Sequence, residues 1–337
     1  MRKNFSFIVC TYNQENVIIQ TLESIKYQTM LYGQDYDITI IISDDGSTDN
    51  TVLVIENWIK INRMFFFEIK KNYIKENKGS CFSFVSAIKL VKSDFLLDLA
   101  GDDILTCNNI FRILEKNYDN DIIMCNVLQF SNNQVSRDMK SYGNIVKQKY
   151  YSYKELKYAS EIGECLIQGG HISKKDIYTE DVLKFILKFR LTEDRPLWYI
   201  LFKKKKVSIV FSEVPSILYR RSINSVTNKE NVVLYGIHID DVLKLYKIAQ
   251  SNEKSLFKRY IIYCQSQVYK ANRGKNFKTN ISVWILINPF WIYEIFMKIC
   301  NKRKINADII KLFDSEVEKN QIYLNQIIAI SESMKKN

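Results

Sequence analysis

Apolar positions in the N-terminal part of the chain alternate between two periods. Short apolar runs at residues 5–10, 38–42, 64–69 and 95–99 have the look of strands buried on both faces, and polar stretches follow them. Between them, residues 17–28, 51–61 and 82–91 carry apolar side chains at helical spacing, with Val17, Ile18, Leu22 and Ile25 in the first. Strands alternating with helices predict an α/β domain with a mostly parallel sheet and right-handed crossovers. Further on, the pattern predicts strands at 121–127 and 207–211 and helices at 174–190 and 197–202. From about Val226 only helices are expected, at 234–249, 254–268, after Asn288-Pro289, and at 306–330.

In an open parallel sheet the carboxyl ends of the strands lie along one edge, and ligands bind in the crevice there. Four polar clusters follow predicted strands: Tyr12-Asn13, Asp44-Asp45, Asn77-Lys78-Gly79 and Gly101-Asp102-Asp103. The last is the sharpest. Taken alone, Gly-Asp-Asp is good turn chemistry. Two adjacent carboxylates repel, however, unless a cation or its cargo lies between them, and three other clusters are expected at the same edge. The chain has neither G-x-x-x-x-G-K-[ST] nor G-x-G-x-x-G, so it lacks the phosphate-binding turns of P-loop and dinucleotide proteins. Paired carboxylates suit Mg²⁺ or Mn²⁺, which takes one or two carboxylates plus phosphate oxygens. An aspartate near the second strand can accept hydrogen bonds from a base or ribose. The pattern describes a nucleoside diphosphate held through a divalent cation.

Composition narrows this further. A chain of 337 residues suggests one large domain with an appendage. Two histidines, His171 and His238, exclude a histidine-rich metal site, so any metal must be held mainly by oxygen. Seven cysteines without a C-x-x-C pair suit a reducing compartment, and residues 1–3 do not open a signal peptide, so a cytoplasmic location is expected. The net charge of +12 is uneven: the first 225 residues carry +4 and the remainder +8. No basic stripe is interleaved regularly with aromatics, so nucleic acid is not an expected partner. Phosphates of an anionic membrane or of a lipid-linked acceptor fit the basic tail better.

The ordered segments V-C-T-Y-N-Q-E, S-D-D-G-S-T-D-N-T, E-N-K-G-S, A-G-D-D and T-E-D-R-P-L-W resemble the motifs of family 2 glycosyltransferases over roughly the first 225 residues. The resemblance implies a GT-A fold at 1–225 with a helical extension at 226–337. It also implies transfer of a sugar from a nucleotide donor, a UDP-sugar being favoured, to a glycan or lipid-linked glycan hydroxyl with inversion, as in the synthesis of bacterial surface polysaccharide. Cys10, Tyr12, Asn13, Asp45, Lys78, Gly79 and Asp102 would then line the donor nucleotide, and Asp102 and Asp103 the metal. Asp194 would be the base, with Glu193 and the Gly169-Gly170 turn near the acceptor. A carboxylate at a helix N-terminus is kept ionised by the dipole, as a base must be. Arg220 and Arg221 are candidates for the diphosphate, or alternatively for surface ion pairs. Two departures stand out: Ala100 replaces the first acid of the usual D-x-D-D, and Q-x-x-R-W of processive synthases is missing, which favours a single transfer. A nucleotidyltransferase and an inactive binding module are the competing classes. The former usually carries a Gly-rich basic loop that residues 11–15 lack, and the intact Asp102, Asp103 and Asp194 argue against the latter.

Residues 281–300 are long enough to span a bilayer but are interrupted by Asn288, Pro289, Glu294 and Lys298. Two readings stay open: a helix whose apolar face packs on the catalytic domain, or one lying in the plane of an anionic membrane beside Lys302-Arg303-Lys304.

Overall fold

The computed structural model describes residues 2–137, 152–163, 170–204, 206–222, 230–272 and 307–336. Nine strands form one sheet: β1 Lys3–Thr11, β2 Tyr36–Asp44, β3 Glu68–Tyr73, β4 Phe95–Ala100, β5 Ile104–Leu105, β6 Ile122–Ser131, β7 Gln134–Arg137, β8 Ile172–Lys174 and β9 Ile209–Arg220. Their order is β3-β2-β1-β4-β8-β6-β9-β5, with β7 hairpinned onto β6. The first four are parallel, as alternation with helices predicts. Beyond β4 the sheet turns mixed, because β8 runs antiparallel to both β4 and β6.

Helices α1 Ile18–Tyr32, α2 Thr51–Asn62 and α4 Ile110–Lys116 cover one face, where Phe5, Phe7 and Val9 of β1 meet Leu22, Trp58 and Phe111. The alternate residue Ile8 joins the opposite core with Leu96 of β4. Helices α3 Ser80–Leu90, α5 Tyr153–Glu161, α6 Glu180–Ile186, α7 Asp194–Lys204 and α8 Val232–Asn252 build that side, with α9 Leu256–Asn272 packed on α8. The period-two alternation of a strand buried on both faces therefore divides β1 between two cores. A third core forms where Phe313, Tyr323, Leu324 and Ile327 of α10 Ala307–Lys336 cover Ile104, Leu128, Phe130 and Leu218.

Three expectations change. The run 64–69 is not the third strand: residues Arg63–Phe65 form a 3-10 turn and the strand is Glu68–Tyr73. Met64 and Phe67 of that run are 81% and 65% exposed while Phe66 is 5% exposed, so the run is buried only in part. In place of the helix expected at 174–190, Lys174 ends strand β8, paired with Phe95 of β4, and a 3-10 turn and the short α6 follow. Strand β9 runs on to Arg220, so Tyr219 and Arg220 lie within it. Gly169, the segment 281–304 and the helix expected after Pro289 lie outside the described residues. Among the described residues no helix is long and apolar enough to cross a membrane.

Candidate active site

The Gly101-Asp102-Asp103 turn is held rigidly at the end of β4. Gly101 donates its N–H to the Cys10 carbonyl (2.8 Å), and Asp103 closes the turn onto Ala100 (3.0 Å). From α1, Thr21 Oγ1 donates to the carbonyls of Gly101 (2.8 Å) and Asp103 (2.7 Å). A Cβ at Gly101 would collide with Gln14 Oε1 and the Thr11 side chain, so glycine is required by close approach. The two carboxylates differ in setting. Asp103 is 6% exposed and accepts the Arg220 N–H at 2.9 Å, whereas Asp102 is half-buried. Burial pushes both acids up. The Asp102 charge adds to the effect on Asp103, while Arg220 opposes it at both. The Arg220 guanidinium donates to the Asp102 carbonyl (2.7 Å) and to Gln20 Oε1 (2.5 Å), over the Phe130 ring. It braces the turn. Arg221 Nε reaches Gln129 Oε1 at 3.0 Å.

The ends of β1 and β2 are tied into a second rigid unit. Asn13 adopts φ 51°, donates its N–H to Ser47 Oγ (2.8 Å) and accepts from Thr48 N (2.8 Å), leaving Tyr12 41% exposed. Asp44 accepts from Ser47 N at 2.8 Å. Asp45 is 4% exposed, and its two oxygens accept the N–H groups of Lys78 (2.9 Å) and Gly79 (2.7 Å). Asp45 thus fixes the loop that leads into α3. Gly79 has φ 97°, and a Cβ there would meet the backbone of Arg190, so α3 begins pressed against the segment before α7.

That segment presents Glu193 and Asp194 at the start of α7. The Asp241 carboxylate of α8, 7% exposed, accepts from Arg190 N (3.1 and 3.0 Å), Leu191 N (2.7 Å) and Thr192 N (3.1 Å). His238 Nδ1 pairs with Thr192 Oγ1 at 3.0 Å. From the opposite side, Arg190 O accepts from Cys81 N (3.1 Å), and Ser80 Oγ donates to Leu191 O (3.0 Å). Ser80 Oγ also lies 3.2 Å from Glu193 Oε2. Asp194 accepts its neighbour's N–H, from Arg195, at 2.7 Å. Burial, then the charge of Asp194 and more weakly that of Asp98, raises Glu193 to about 8. His238 is pulled down by burial and by Arg195.

These units meet at Cys10. Its carbonyl holds the Gly101 turn, and burial raises its thiol, helped by the charges of Asp98, Glu193 and Asp45. The structure therefore brings Cys10, Asp45, Lys78, Gly79, Asp102, Asp103, Glu193 and Asp194 to one sheet edge, with Arg220 beneath the acidic turn. Gly170, at φ 90°, packs instead against Ser216 and Ile217 of β9. Sequence reasoning passed over Gln14, Asp98 and Asp241. Gln14 was legible as part of the T-Y-N-Q-E segment, while a lone aspartate within a strand or helix gives no motif. No group of three or more metal-ligating side chains occurs among the described residues. Of the two acids Asp102 is the more exposed, and an accessible carboxylate is a donor type that suits a divalent cation.

A parallel half-sheet extended by mixed strands and covered by helices on both faces is the GT-A fold. Solved structures share this fold. S. aureus TarS 1–349 in complex with UDP-GlcNAc superposes with a TM-score of 0.54 over 95% of this chain and 90% of that one, at 15% identity. A mannosyltransferase, PcManGT from Pyrobaculum calidifontis in complex with GDP-Man and Mn²⁺, gives 0.52 over 98% and 87%, at 13% identity. The chain belongs to glycosyl transferase family 2, whose family model matches residues 6–180. That segment holds every strand-end cluster up to Asp103 and ends before Glu193 and Asp194. Among curated relatives, the GalNAc(5)-diNAcBac-PP-undecaprenol beta-1,3-glucosyltransferase of Campylobacter jejuni is 25% identical over 81% of this chain and 84% of its own. The UDP-Glc:alpha-D-GlcNAc-diphosphoundecaprenol beta-1,3-glucosyltransferase WfaP of Escherichia coli is 38% identical over 29% of this chain and 35% of its own.

Proposed function

We propose that this glycosyltransferase moves a sugar from a UDP-sugar to a hydroxyl of a lipid-linked glycan, with inversion and one transfer per encounter, in surface glycan synthesis. The observation that carries the reading is the placement of two acidic units about Cys10, whose carbonyl holds the Gly101-Asp102-Asp103 turn and whose thiol feels the charge of Glu193. Asp194 acts as the base that takes the acceptor proton, while the protonated Glu193 beside it keeps a second negative charge out of the site. Asp102 would hold a Mg²⁺ or Mn²⁺ ion, with Asp103 and Arg220 keeping the turn that carries it in place. A divalent cation bound there supplies charge neutralisation for the leaving nucleotide. The lipid-linked acceptor is supported by the names of the Campylobacter and Escherichia relatives, and the UDP-sugar by the ligand of TarS. The +8 charge of residues 226–337 suits a peripheral position at an anionic membrane. We read that region as an extension of the catalytic domain, since α8 and α10 share its cores. Transfer assayed with a panel of UDP-sugars and undecaprenyl-diphosphate-linked acceptors, with and without Mn²⁺, tests the reading. Nucleotidyl transfer from UTP to a sugar phosphate, in place of glycosyl transfer, would overturn it.

A further inference from the structure

On the β4 face that meets α3 and α7, Leu96 is fully buried, Asp98 follows with its side chain 21% exposed, and Ala100 is exposed at the edge. Asp98 therefore lies one step below the acidic turn, and its charge reaches both Cys10 and Glu193. Next to it is His171, 6% exposed, with Nε2 3.8 Å from Asp98 Oδ1 and 3.5 Å from the Tyr178 hydroxyl. Asp98 Oδ1 and His171 Nδ1 are both buried without a hydrogen-bond partner.

Two unpaired polar atoms on adjoining side chains are costly. Each buried unsatisfied group forfeits the hydrogen bond it makes to water in the unfolded chain, and the neighbouring strand position on the same face is a leucine. Tyr178 and Ser173 satisfy each other nearby at 2.9 Å, so this wall does complete its hydrogen bonds elsewhere. A ligand that completes the pair must donate to a carboxylate and also bond an imidazole nitrogen. Hydroxyls of a sugar ring do both.

We propose that Asp98 and His171 form the floor of a saccharide subsite, hydrogen-bonding hydroxyls of the donor sugar or of the acceptor sugar. The inference rests on the glycosyltransferase reading of this edge, and it makes Asp98 a specificity-determining residue. An unpaired acceptor kept for a ligand predicts opposite effects on stability and on binding when it is removed.

The test replaces Asp98 with leucine and, separately, with asparagine, and measures Tm. Calorimetric titrations use UDP, UDP-glucose, UDP-galactose and UDP-N-acetylglucosamine; transfer kinetics use octyl glycosides and undecaprenyl-diphosphate-linked N-acetylglucosamine as acceptors. We expect Asp98→Leu to keep or raise Tm and to bind UDP as the wild type does. A donor-sugar contact then appears as at least a tenfold loss in the affinity gained by UDP-sugar over UDP. An acceptor contact appears instead as at least a tenfold rise in acceptor KM with donor affinity unchanged. Should Asp98→Leu fail to fold, Asp98→Asn, which keeps the volume, must show the same loss in reduced form. Donor affinity and acceptor KM both within twofold of wild type would overturn the subsite. Wild-type protein that binds no UDP-sugar would count against the functional reading itself, so the two failures are distinct.

Discussion

Asp241 lies in the helical extension, beyond the family-matched segment, yet it holds the backbone that delivers Asp194. Asp241→Asn removes the charge while preserving volume. The carboxylate accepts N–H groups from three successive residues, Arg190, Leu191 and Thr192, at 2.7 to 3.1 Å. Hydrogen bonds to a charged group are worth about 1.5–3 kcal/mol and roughly twice their neutral counterparts. The asparagine oxygen can keep neutral versions of some of these bonds, but its amide must face an N–H. A loss of about 3 kcal/mol follows, which in a chain this long corresponds to a fall in Tm of about 3–6 °C. The catalytic effect should exceed the stability effect. Misplacing a reacting group by about 1 Å costs on the order of 10²-fold, so kcat should drop by about that factor with donor KM nearly constant. The assay is steady-state transfer with Tm measured alongside, and Asp241→Glu serves as the variant that restores charge. A kcat within twofold of wild type despite the fall in Tm would refute the link between Asp241 and the base. An unchanged Tm would refute the energetic reasoning itself.

Asp194→Asn should cut kcat by about 10²- to 10⁴-fold with donor affinity nearly unchanged; near-normal turnover would shift the base to Glu193. Asp102→Asn and chelation should each abolish transfer in a protein of unchanged Tm, and full activity under chelator would leave the phosphate charge to protein cations instead. Glu193 is raised from its ordinary 4.5 to about 8, so the stability tied to its protonated form is complete below 4.5 and lost as pH rises through about 8. The Tm of the wild type should therefore fall across that window more than that of Glu193→Gln; parallel Tm curves would contradict the assignment. Gly79→Ala forces a side chain into a left-handed conformation against the Arg190 backbone. It should cost roughly 1–3 kcal/mol in denaturant unfolding and weaken donor binding, whereas wild-type behaviour would mean that the α3–α7 contact is adjustable.

The site was legible in the sequence where chemistry interrupts a strong period. The runs at β1, β2 and β4 are long, apolar and buried, so the polar residues after them stand out, and their common edge follows from parallel topology. Edge strand β3 was missed because Glu68, Lys70 and Lys71 look solvated while Met64 and Phe67, which look buried, are exposed. The segment 174–190 failed for another reason. Its register is set by β4 and β6, more than 40 residues away in sequence, and no local period reports such pairing. The oxygens of Asp45 receive the N–H groups of Lys78 and Gly79, a bracing role that depends on a loop the sequence does not fold by itself. Asp98 and Asp241 carry no motif at all. Each is defined by what lies across the fold: an imidazole with one unpaired nitrogen for one, and three backbone N–H groups for the other.

The proposed single sugar transfer from a UDP-sugar onto a lipid-linked glycan, with Asp194 as base, is decided by one experiment. Wild type and Asp194→Asn are incubated with a UDP-sugar panel and an undecaprenyl-diphosphate-linked acceptor, and product mass and anomeric configuration are read by mass spectrometry and NMR. The expected product is heavier by one sugar, of anomeric configuration opposite to the donor, formed by the wild type and nearly absent with Asp194→Asn. A retained configuration, or equal product from both proteins, would contradict it.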